Sequence, residues 1–166
     1  VWPVRVNPGI NRGYQTNMLR EGKLKEFTAA CAPWIYRGNL FGSEFYGNAF
    51  VCEPAGNLIK RNILSATQGT LRAREAYRES EFLASTDERF RPVNLSNAPD
   101  GTLYIVDMYR GMIQHRDYIT EYLRDYIVSS RVEQPVSLGR IYRVVHETTS
   151  RGPVPALARA TGAELV

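Results

Sequence analysis

The sequence predicts a mainly β fold in which one sheet unit occurs twice and a helix is inserted into the second copy. Short runs of β-forming residues separated by turn clusters occupy much of the 166-residue chain. The order of strands, turns and acids over 90–113 also occurs over 29–61, and helical spacing occurs over 117–129. Sheet units that recur about every 50 residues are typical of β-propeller blades, and a β-sandwich is the alternative that the pattern leaves open.

The stretch 90–113 predicts a β-hairpin. Phe90 to Leu95 is a short run with β-forming residues, and the turn cluster after it contains Pro99-Asp100-Gly101. Proline fixes its own φ and glycine tolerates positive φ, so these residues favour a tight turn. Leu103 to Val106 is apolar throughout, which predicts a strand buried on both faces. Asp107 ends the run and points either into a cleft or, as the simpler alternative, into its own turn.

The first copy of this unit lies in 29–61 and aligns with the second copy in three segments. The aligned segments are Pro33–Tyr36 with Pro92–Leu95, Ala49–Glu53 with Leu103–Asp107, and Asn57–Arg61 with Gly139–Arg143. Because Glu53 and Asp107 occupy the same place in the two copies, we expect both acids at the same edge of two adjacent antiparallel sheets. The predicted core of these sheets is Trp34, Ile35, Phe50, Val51, Leu58, Ile59, Val93, Leu95, Leu103, Ile105, Ile141 and Val144.

An insertion between Gly111 and Gly139 distinguishes the second copy from the first. Its apolar residues recur at helical spacing, at Tyr118, Ile119, Tyr122, Leu123, Tyr126 and Ile127. This spacing predicts a helix over 117–129 that lies on the sheets with its tyrosine face covered. Tyr122 and Tyr126 should therefore be less exposed than Glu121 and Asp125.

Composition limits the class of protein. The chain is 43% hydrophobic and 23% charged, which is ordinary for a globular chain. No apolar run approaches the roughly 20 residues that cross a bilayer. Of the 21 basic residues, 18 are arginine, and they are scattered singly among acids. A nucleic-acid partner is not expected, because such proteins carry a basic patch or stripe.

Cys31 and Cys52 lie on the two arms of one predicted hairpin. The sequence contains no CxxC or CxxCH motif, so this stretch attaches no c-type haem and forms no zinc knuckle. Two interpretations of the pair stay open. One is a cross-strand disulfide in an oxidising compartment, and the other is a pair of buried free thiols.

The ends of the chain carry their own patterns. Trp2, Val4 and Val6 alternate around a proline, which predicts an edge strand, and Asn11–Tyr14 predicts an ordered loop with potential ligand groups. The absence of signal-peptide features in VWPVRVNPG leads us to expect that the chain begins inside a longer protein. Arg151–Pro155 predicts a linker, and the following residues predict the start of a helix.

Six runs of the sequence carry a resemblance to a known family: NPGINRGYQ, FTAACAPWIYRG, GNAFVCEPAGNLIKRN, EFLASTDERFRPVNL, PDGTLYIVDMYRGMIQHR and GRIYRV. They resemble the membrane-bound dehydrogenase domain of PVC-type haem-binding CxxCH proteins, which is related to six-bladed glucose/sorbosone dehydrogenase-like propellers. The resemblance covers 1–147 and implies a mainly β fold, the C-terminal blades of a partial six-bladed β-propeller with an inserted helix. It implies that 148–166 is a linker and the start of a truncated HEAT-like helical region.

The resemblance also implies a function and a location. The chain would be a fragment of a quinoprotein-like sugar or polyol dehydrogenase that passes electrons to a c-type haem domain outside this chain, in the periplasm or cell envelope. Related enzymes use pyrroloquinoline quinone and calcium. We expect the fragment alone to be inactive, because 166 residues do not close a six-bladed ring. A noncatalytic carbohydrate-binding or scaffold propeller is the alternative, since a fold does not imply an activity.

The candidate site residues lie in the loops where the two sheet units are expected to meet. Histidine is the usual general base, arginine clamps anionic groups, and calcium takes oxygen ligands. The predicted roles are catalytic for His115 and Asp107, cofactor-binding for Arg91, Arg110, Tyr109 and Asn57, and metal-binding for Glu53 and Asp87. The simpler alternatives are a helix-start or packing role for the histidine and backbone hydrogen bonds within their own turns for the acids.

Overall fold

The computed structural model describes residues 1–6, 16–154 and 156–164. Its strands are β1 (Leu19–Arg20), β2 (Lys23–Leu24), β3 (Cys31–Ile35), β4 (Ala49–Glu53), β5 (Leu58–Thr67), β6 (Thr70–Glu75), β7 (Leu83–Ala84), β8 (Pro92–Asn97), β9 (Leu103–Asp107) and β10 (Arg140–Val144). The α-helix α1 is Glu121–Ser130, and 3-10 turns lie at Thr16–Met18, Arg116–Tyr118, Leu157–Arg159 and Gly162–Glu164. The predicted mainly β fold with one helix is confirmed.

The strands pair antiparallel in separate sheets. The first sheet has the order β3-β4-β5-β6, with β7 paired to the start of β5, and the second sheet has the order β10-β9-β8. The strands β1 and β2 form a hairpin of their own. Because β4 and β9 lie in different sheets, the prediction of two distinct sheet units is confirmed.

The second and third strands of the two units pair in the same register. Cys52 lies opposite Ile59 in the first sheet, and Val106 lies opposite Ile141 in the second. Val106 follows Cys52 by 54 positions and Ile141 follows Ile59 by 82, as the sequence alignment of these segments requires. All five residue pairs of the β4–β5 ladder have counterparts in the β9–β10 ladder. These two strands are therefore a structural repeat.

The first strands of the two units are also equivalent, but their sequence alignment was wrong by three residues. Trp34 lies opposite Phe50, and Ser96 lies opposite Tyr104. Trp34 therefore corresponds to Ser96 and not to Val93. Each first strand also contains a register shift. The proline that both strands contain suggested the alignment, although it sits at different positions in the two ladders.

The apolar core lies between the two sheets. Its buried members are Tyr36, Leu40, Phe41, Phe50, Cys52, Ile59, Phe90, Leu95, Leu103 and Ile105. Tyr36 stacks on Phe41 with ring centroids 4.8 Å apart, and Phe50 meets Phe82 edge to face at the same distance. Burying a large apolar side chain stabilises a fold by about 1.5–3 kcal/mol. Of the predicted core, Phe50, Leu58, Ile59, Leu95, Leu103 and Ile105 are buried, and the others except Ile141 are half-buried.

Two burial predictions for the second sheet were wrong. Leu103 and Ile105 are fully buried, but Val106 points to the opposite face and is 37% exposed. β9 therefore buries one face and not both. Ile141, opposite Val106, is 68% exposed and lies outside the core. An apolar run does not show whether a second layer covers its other face, which is the reason for both errors.

Hydrogen bonds join the two sheets at the edge where β3 and β8 end. The Tyr36 hydroxyl donates to the Gly101 carbonyl oxygen at 2.5 Å, and Trp34 Nε1 donates to Asn97 Oδ1 at 3.1 Å. The backbones approach so closely that a Cβ on Gly38 would lie 2.5 Å from the Gly101 oxygen. Glycine is therefore required at position 38 for this contact.

The helix α1 starts four residues later than predicted. Thr120 is its N-cap, and the side chain of this residue accepts a hydrogen bond from the Leu123 amide. Leu123 and Ile127 are buried and Tyr126 is half-buried, but Tyr122 is 43% exposed. The tyrosine face is thus not covered as a whole, because the helix packs through its aliphatic residues on the adjoining loops.

Among the described residues, no helix has the length and apolar character needed to cross a membrane.

The ends of the chain differ from the sequence predictions. Residues 1–6 form no strand, because the Trp2 amide donates to the Glu81 side chain instead of joining a ladder. The loop predicted at 11–14 lies outside the described residues. The segment 66–78, for which either a strand or a helix was open, contains the outer strand β6. The described part of 148–166 contains two 3-10 turns, and its assignment to a helical region stays a prediction.

Candidate functional site

The carboxylate of Glu53, at the end of β4, is buried and bonded to the backbone. Its Oε2 accepts hydrogen bonds from the amides of Thr28 at 2.9 Å and Ala29 at 3.0 Å, and its Oε1 accepts one from Ala55 at 3.1 Å. Burial raises the pKa of Glu53, although the amide donors act in the opposite direction. Both oxygens therefore fasten the strand end to neighbouring turns.

Asp107, at the end of β9, makes the same arrangement in the second unit. Its Oδ1 accepts hydrogen bonds from the amides of Arg91 and Tyr109, both at 2.8 Å. Tyr109 follows Asp107 by two residues, as Ala55 follows Glu53, and the Arg91 amide just before β8 donates to Asp107 as the Ala29 amide before β3 donates to Glu53. We call each acid with its amide donors an acid latch. The Asp107 Oδ2 is buried and has no hydrogen-bond partner among the described residues.

The guanidinium of Arg91 connects the two latched turns. Its Nη1 donates to the Pro54 carbonyl at 2.7 Å, its Nη2 to Gly111 at 2.7 Å, and its Nε to Arg110 at 2.9 Å. The residue is 4% exposed, and burial lowers its pKa to about 10, so it stays charged at neutral pH. We call these contacts the Arg91 clamp. The clamp uses the donors that were predicted to hold a quinone carboxylate.

Asn57 is a second buried connection between the units. Its Nδ2 donates to the carbonyls of Phe90 at 2.7 Å and Glu88 at 3.1 Å, and its Oδ1 accepts a hydrogen bond from Arg5 at 3.2 Å. The backbone of Asn57 has a φ of 56°, which asparagine tolerates better than most residues. The side chain thus holds the segment before β8 against the turn after β4.

Tyr109 and Asp87 lie at the exposed rim beside the second latch. Tyr109 has a φ of 48°, and the Arg140 guanidinium lies 3.5 Å from the centroid of its ring. A hydrogen bond with Asp87 raises the pKa of the Tyr109 hydroxyl. Asp87 also accepts the Arg89 amide at 2.9 Å, so it caps its own turn. These residues form a polar surface and not a buried pocket.

The side chains of His115 and Arg110 are exposed, unlike the acids of the latches. The His115 side chain is 68% exposed, and its Nδ1 lies 3.8 Å from an Asp117 carboxylate oxygen on the same turn. Arg110 gives its carbonyl to the Arg91 clamp, while its side chain is exposed. The structure therefore brings Arg91 together with Asp107 and with the turn that follows Glu53. Catalytic and cofactor-binding roles for these residues stay predictions.

The donor set does not fit the calcium ion that the resemblance implies. Among residues 1–6, 16–154 and 156–164, no group of three or more His, Cys, Asp or Glu side chains is placed to hold a metal. The Glu53 oxygens accept protein amides, and the carbonyls around Arg91 already face a cation in its guanidinium. A calcium ion here would have to displace these bonds.

One partly buried ionic group was missed by the sequence analysis. Arg5 Nη2 lies 3.2 Å from Glu88 Oε2, and the Tyr126 hydroxyl donates to the same oxygen. Burial and then the bond with Glu88 raise the pKa of Tyr126. Glu88 Oε1 is buried without a partner among the described residues. These residues are 83 and 38 positions apart, and no local pattern signals such a contact.

A cavity of about 500 Å³ opens away from the latches. Its lining includes Trp2, Arg20, Lys23, Glu79 and Glu81, and the Arg20 guanidinium lies 4.0 Å from the Trp2 ring centroid. None of the predicted site residues lines this cavity. Its charges are mixed in sign, so its geometry favours no single class of ligand.

The two cysteines face each other across the first sheet, and the burial of Cys52 can be tested by its reactivity. Cys31 and Cys52 lie directly opposite each other on β3 and β4, and both are free thiols. Burial raises the pKa of Cys52 to about 12, so the reactive thiolate is scarce at pH 8. We expect iodoacetamide at pH 8 to modify Cys52 in the folded chain at least tenfold more slowly than in urea, as measured by peptide mass spectrometry. Equal rates in both conditions would contradict its burial.

The fold and the latches define a mainly β protein of antiparallel sheets whose buried acids and arginine fasten turns. The chain belongs to the family described as Domain of unknown function (DUF7133), whose model matches residues 1–148. No curated protein and no solved structure matches the chain.

Proposed function

We propose that the chain is a scaffold part of a β-propeller, with its two sheets as adjacent C-terminal blades of a glucose/sorbosone dehydrogenase-like protein. The matching β4–β5 and β9–β10 registers support a blade repeat. The stacking of separate sheets through one apolar core is also expected of neighbouring blades. Six blades, of which this chain supplies two, follow from the resemblance in the sequence.

The observation that supports the scaffold role is that the candidate ligand groups already bond to the protein backbone. The side chains of Glu53, Asp107 and Arg91 are bonded to backbone atoms of turns in both units. Such bonds hold the strand ends in place and leave few donors for a ligand. A scaffold therefore explains these residues better than a cofactor site does.

The chemistry in this proposal belongs to other parts of a longer protein in the periplasm or cell envelope. Quinone and calcium sites would lie on blades outside this chain and would supply the oxidising chemistry for a sugar or polyol, and the electrons would pass to a c-type haem domain. The residues of this chain would orient neighbouring blades. They would not contact the reacting atoms.

The test uses the complete gene product, reconstituted with pyrroloquinoline quinone and calcium. Reduction of an electron-accepting dye by sugars and polyols measures activity. We expect His115→Ala and Arg110→Ala to keep kcat within about twofold of the parent, because neither side chain belongs to the latches. Tyr118→Ala, at another exposed position on the same surface turn, is the matched control.

Three outcomes would contradict the proposal in whole or in part. A loss of more than tenfold in kcat for His115→Ala, with unchanged urea unfolding, would place the histidine at the reacting atoms. A quinone absorbance change that saturates with the 166-residue chain alone would show a cofactor site within it. If the complete protein binds sugars but reduces no dye, the dehydrogenase part fails and a carbohydrate-binding propeller is favoured.

A further inference from the structure

We propose that the outer face of the second sheet is the docking surface for a further sheet of the same repeat. This outer face consists of Tyr104, Val106, Ile141 and Arg143, which point away from the apolar core. The inference deepens the proposed function and rests on its repeat of sheets.

The corresponding face of the first sheet is already covered. By the shared register, Phe50, Cys52, Ile59 and Arg61 occupy the positions of the four outer-face residues. Phe50, Cys52 and Ile59 are fully buried, and they pack against Leu95, Leu103 and Ile105 of the second sheet. In the first unit, this face is therefore an interface with the next sheet along the chain.

The two sheets meet through different faces. The first sheet uses the face of Cys52 and Ile59, whereas the second uses the opposite one, which carries Leu103 and Ile105. A contact between unlike faces is heterologous, and it leaves one face of each kind to be paired again. On the second sheet, the face that remains unpaired is the outer face.

The chemistry of the outer face matches that of its buried counterpart. Val106 and Ile141 are adjacent apolar residues that are 37% and 68% exposed. At one side Arg143 Nη2 donates to the Tyr104 hydroxyl at 2.6 Å. In the first sheet, Arg61 likewise lies over an aromatic ring, 3.7 Å from the centroid of Phe45. An apolar centre beside an arginine–aromatic pair thus occurs in both units.

The partner is a sheet whose facing strands carry aliphatic residues as Leu95, Leu103 and Ile105 do. A second copy of this chain does not offer such a face. In a second copy, the aliphatic face of the second sheet is already buried in the core of that copy. The equivalent face of its first sheet is also covered, because Glu53, Leu58 and Lys60 on that face are buried. The occupant is therefore a further repeat unit and not a copy of these two.

The experiment compares thiol labelling in the complete gene product and in the 166-residue chain alone. Ile141→Cys reports on the outer face. Leu71→Cys is the matched control, because Leu71 is 67% exposed but lies on β6 of the first sheet. The rate of maleimide labelling at each site is followed by peptide mass spectrometry, which separates the new thiol from Cys31 and Cys52.

We expect both new thiols to react at similar rates in the 166-residue chain. In the complete gene product, we expect labelling at position 141 to slow at least tenfold while labelling at position 71 is unchanged. Equal labelling at position 141 in the two proteins would overturn the inference. Labelling that slows as the concentration of the 166-residue chain rises would also overturn it, by identifying a second copy as the occupant. Labelling does not depend on dye reduction, so a failure of this inference can be told apart from a failure of the proposed dehydrogenase chemistry.

Discussion

Replacing Arg91 with methionine is expected to lower the free energy of unfolding by about 4 kcal/mol. The substitution removes the donors to the turn carbonyls of Pro54, Arg110 and Gly111, and the bonds to Pro54 and Gly111 are buried. An unsatisfied buried polar group costs about 1–3 kcal/mol, and methionine fills much of the vacated volume without supplying a donor. Urea unfolding followed by fluorescence measures the change, with the m-value as a check that the transition is unaltered.

Arg110→Met is the matched control for this substitution. It changes the same residue type in the same turn, but the Arg110 side chain is exposed and only its carbonyl joins the clamp. We expect an effect within about 0.5 kcal/mol. If the Arg91 and Arg110 variants unfold at the same urea concentration, the guanidinium bonds merely offset the cost of burying the charge.

The second large effect is expected at Glu53. Glu53→Ala leaves the part-buried amides of Thr28, Ala29 and Ala55 without their acceptor and should cost about 3–4 kcal/mol in the free energy of unfolding. Glu147→Ala, at an exposed position, is the control and should be close to neutral. A cost below about 1 kcal/mol for Glu53→Ala would show that water replaces the carboxylate at these amides.

The stability of the parent should depend on pH through Glu53. Because burial raises its pKa in the folded state above the usual 4.5, the folded chain binds this proton more tightly than the unfolded chain. The associated stability is fully present below pH 4.5 and is lost as the pH rises through the folded-state pKa. Compared with Glu53→Gln, which does not titrate, the parent should therefore gain stability between pH 7 and pH 4. A relative loss over this range would show a lowered pKa.

The sequence was sufficient for the elements whose determinants are local. Pro99-Asp100-Gly101 between two apolar runs marked the hairpin, and the acid after each buried strand marked the repeat. The placement of Glu53 and Asp107 at equivalent strand ends also followed from that spacing. Their hydrogen bonds to their own turns were foreseen as the simpler alternative to a ligand site.

The remaining features depend on residues far apart in the chain. Arg91 binds carbonyl groups, and a carbonyl has the same chemistry in every residue, so the sequence contains no signal for its partners. The exposure of Val106 depends on whether another layer covers the sheet, which its own apolar run does not encode. The alignment error at Trp34 arose because both first strands contain a proline, and the sequence does not show that the two prolines sit at different positions in their ladders.

The acid latches show how far the two units can differ in sequence without a change in the geometry of their strand ends. Each latch needs one carboxylate, since its donors are backbone amides that persist whatever side chain follows. The two units can therefore differ at nearly every position while their strand ends keep the same geometry. The acid is glutamate in one unit and aspartate in the other, and the longer side chain reaches one more amide than the shorter one. The equivalence of the two units is thus easier to recognise in hydrogen-bond topology than in residue identity.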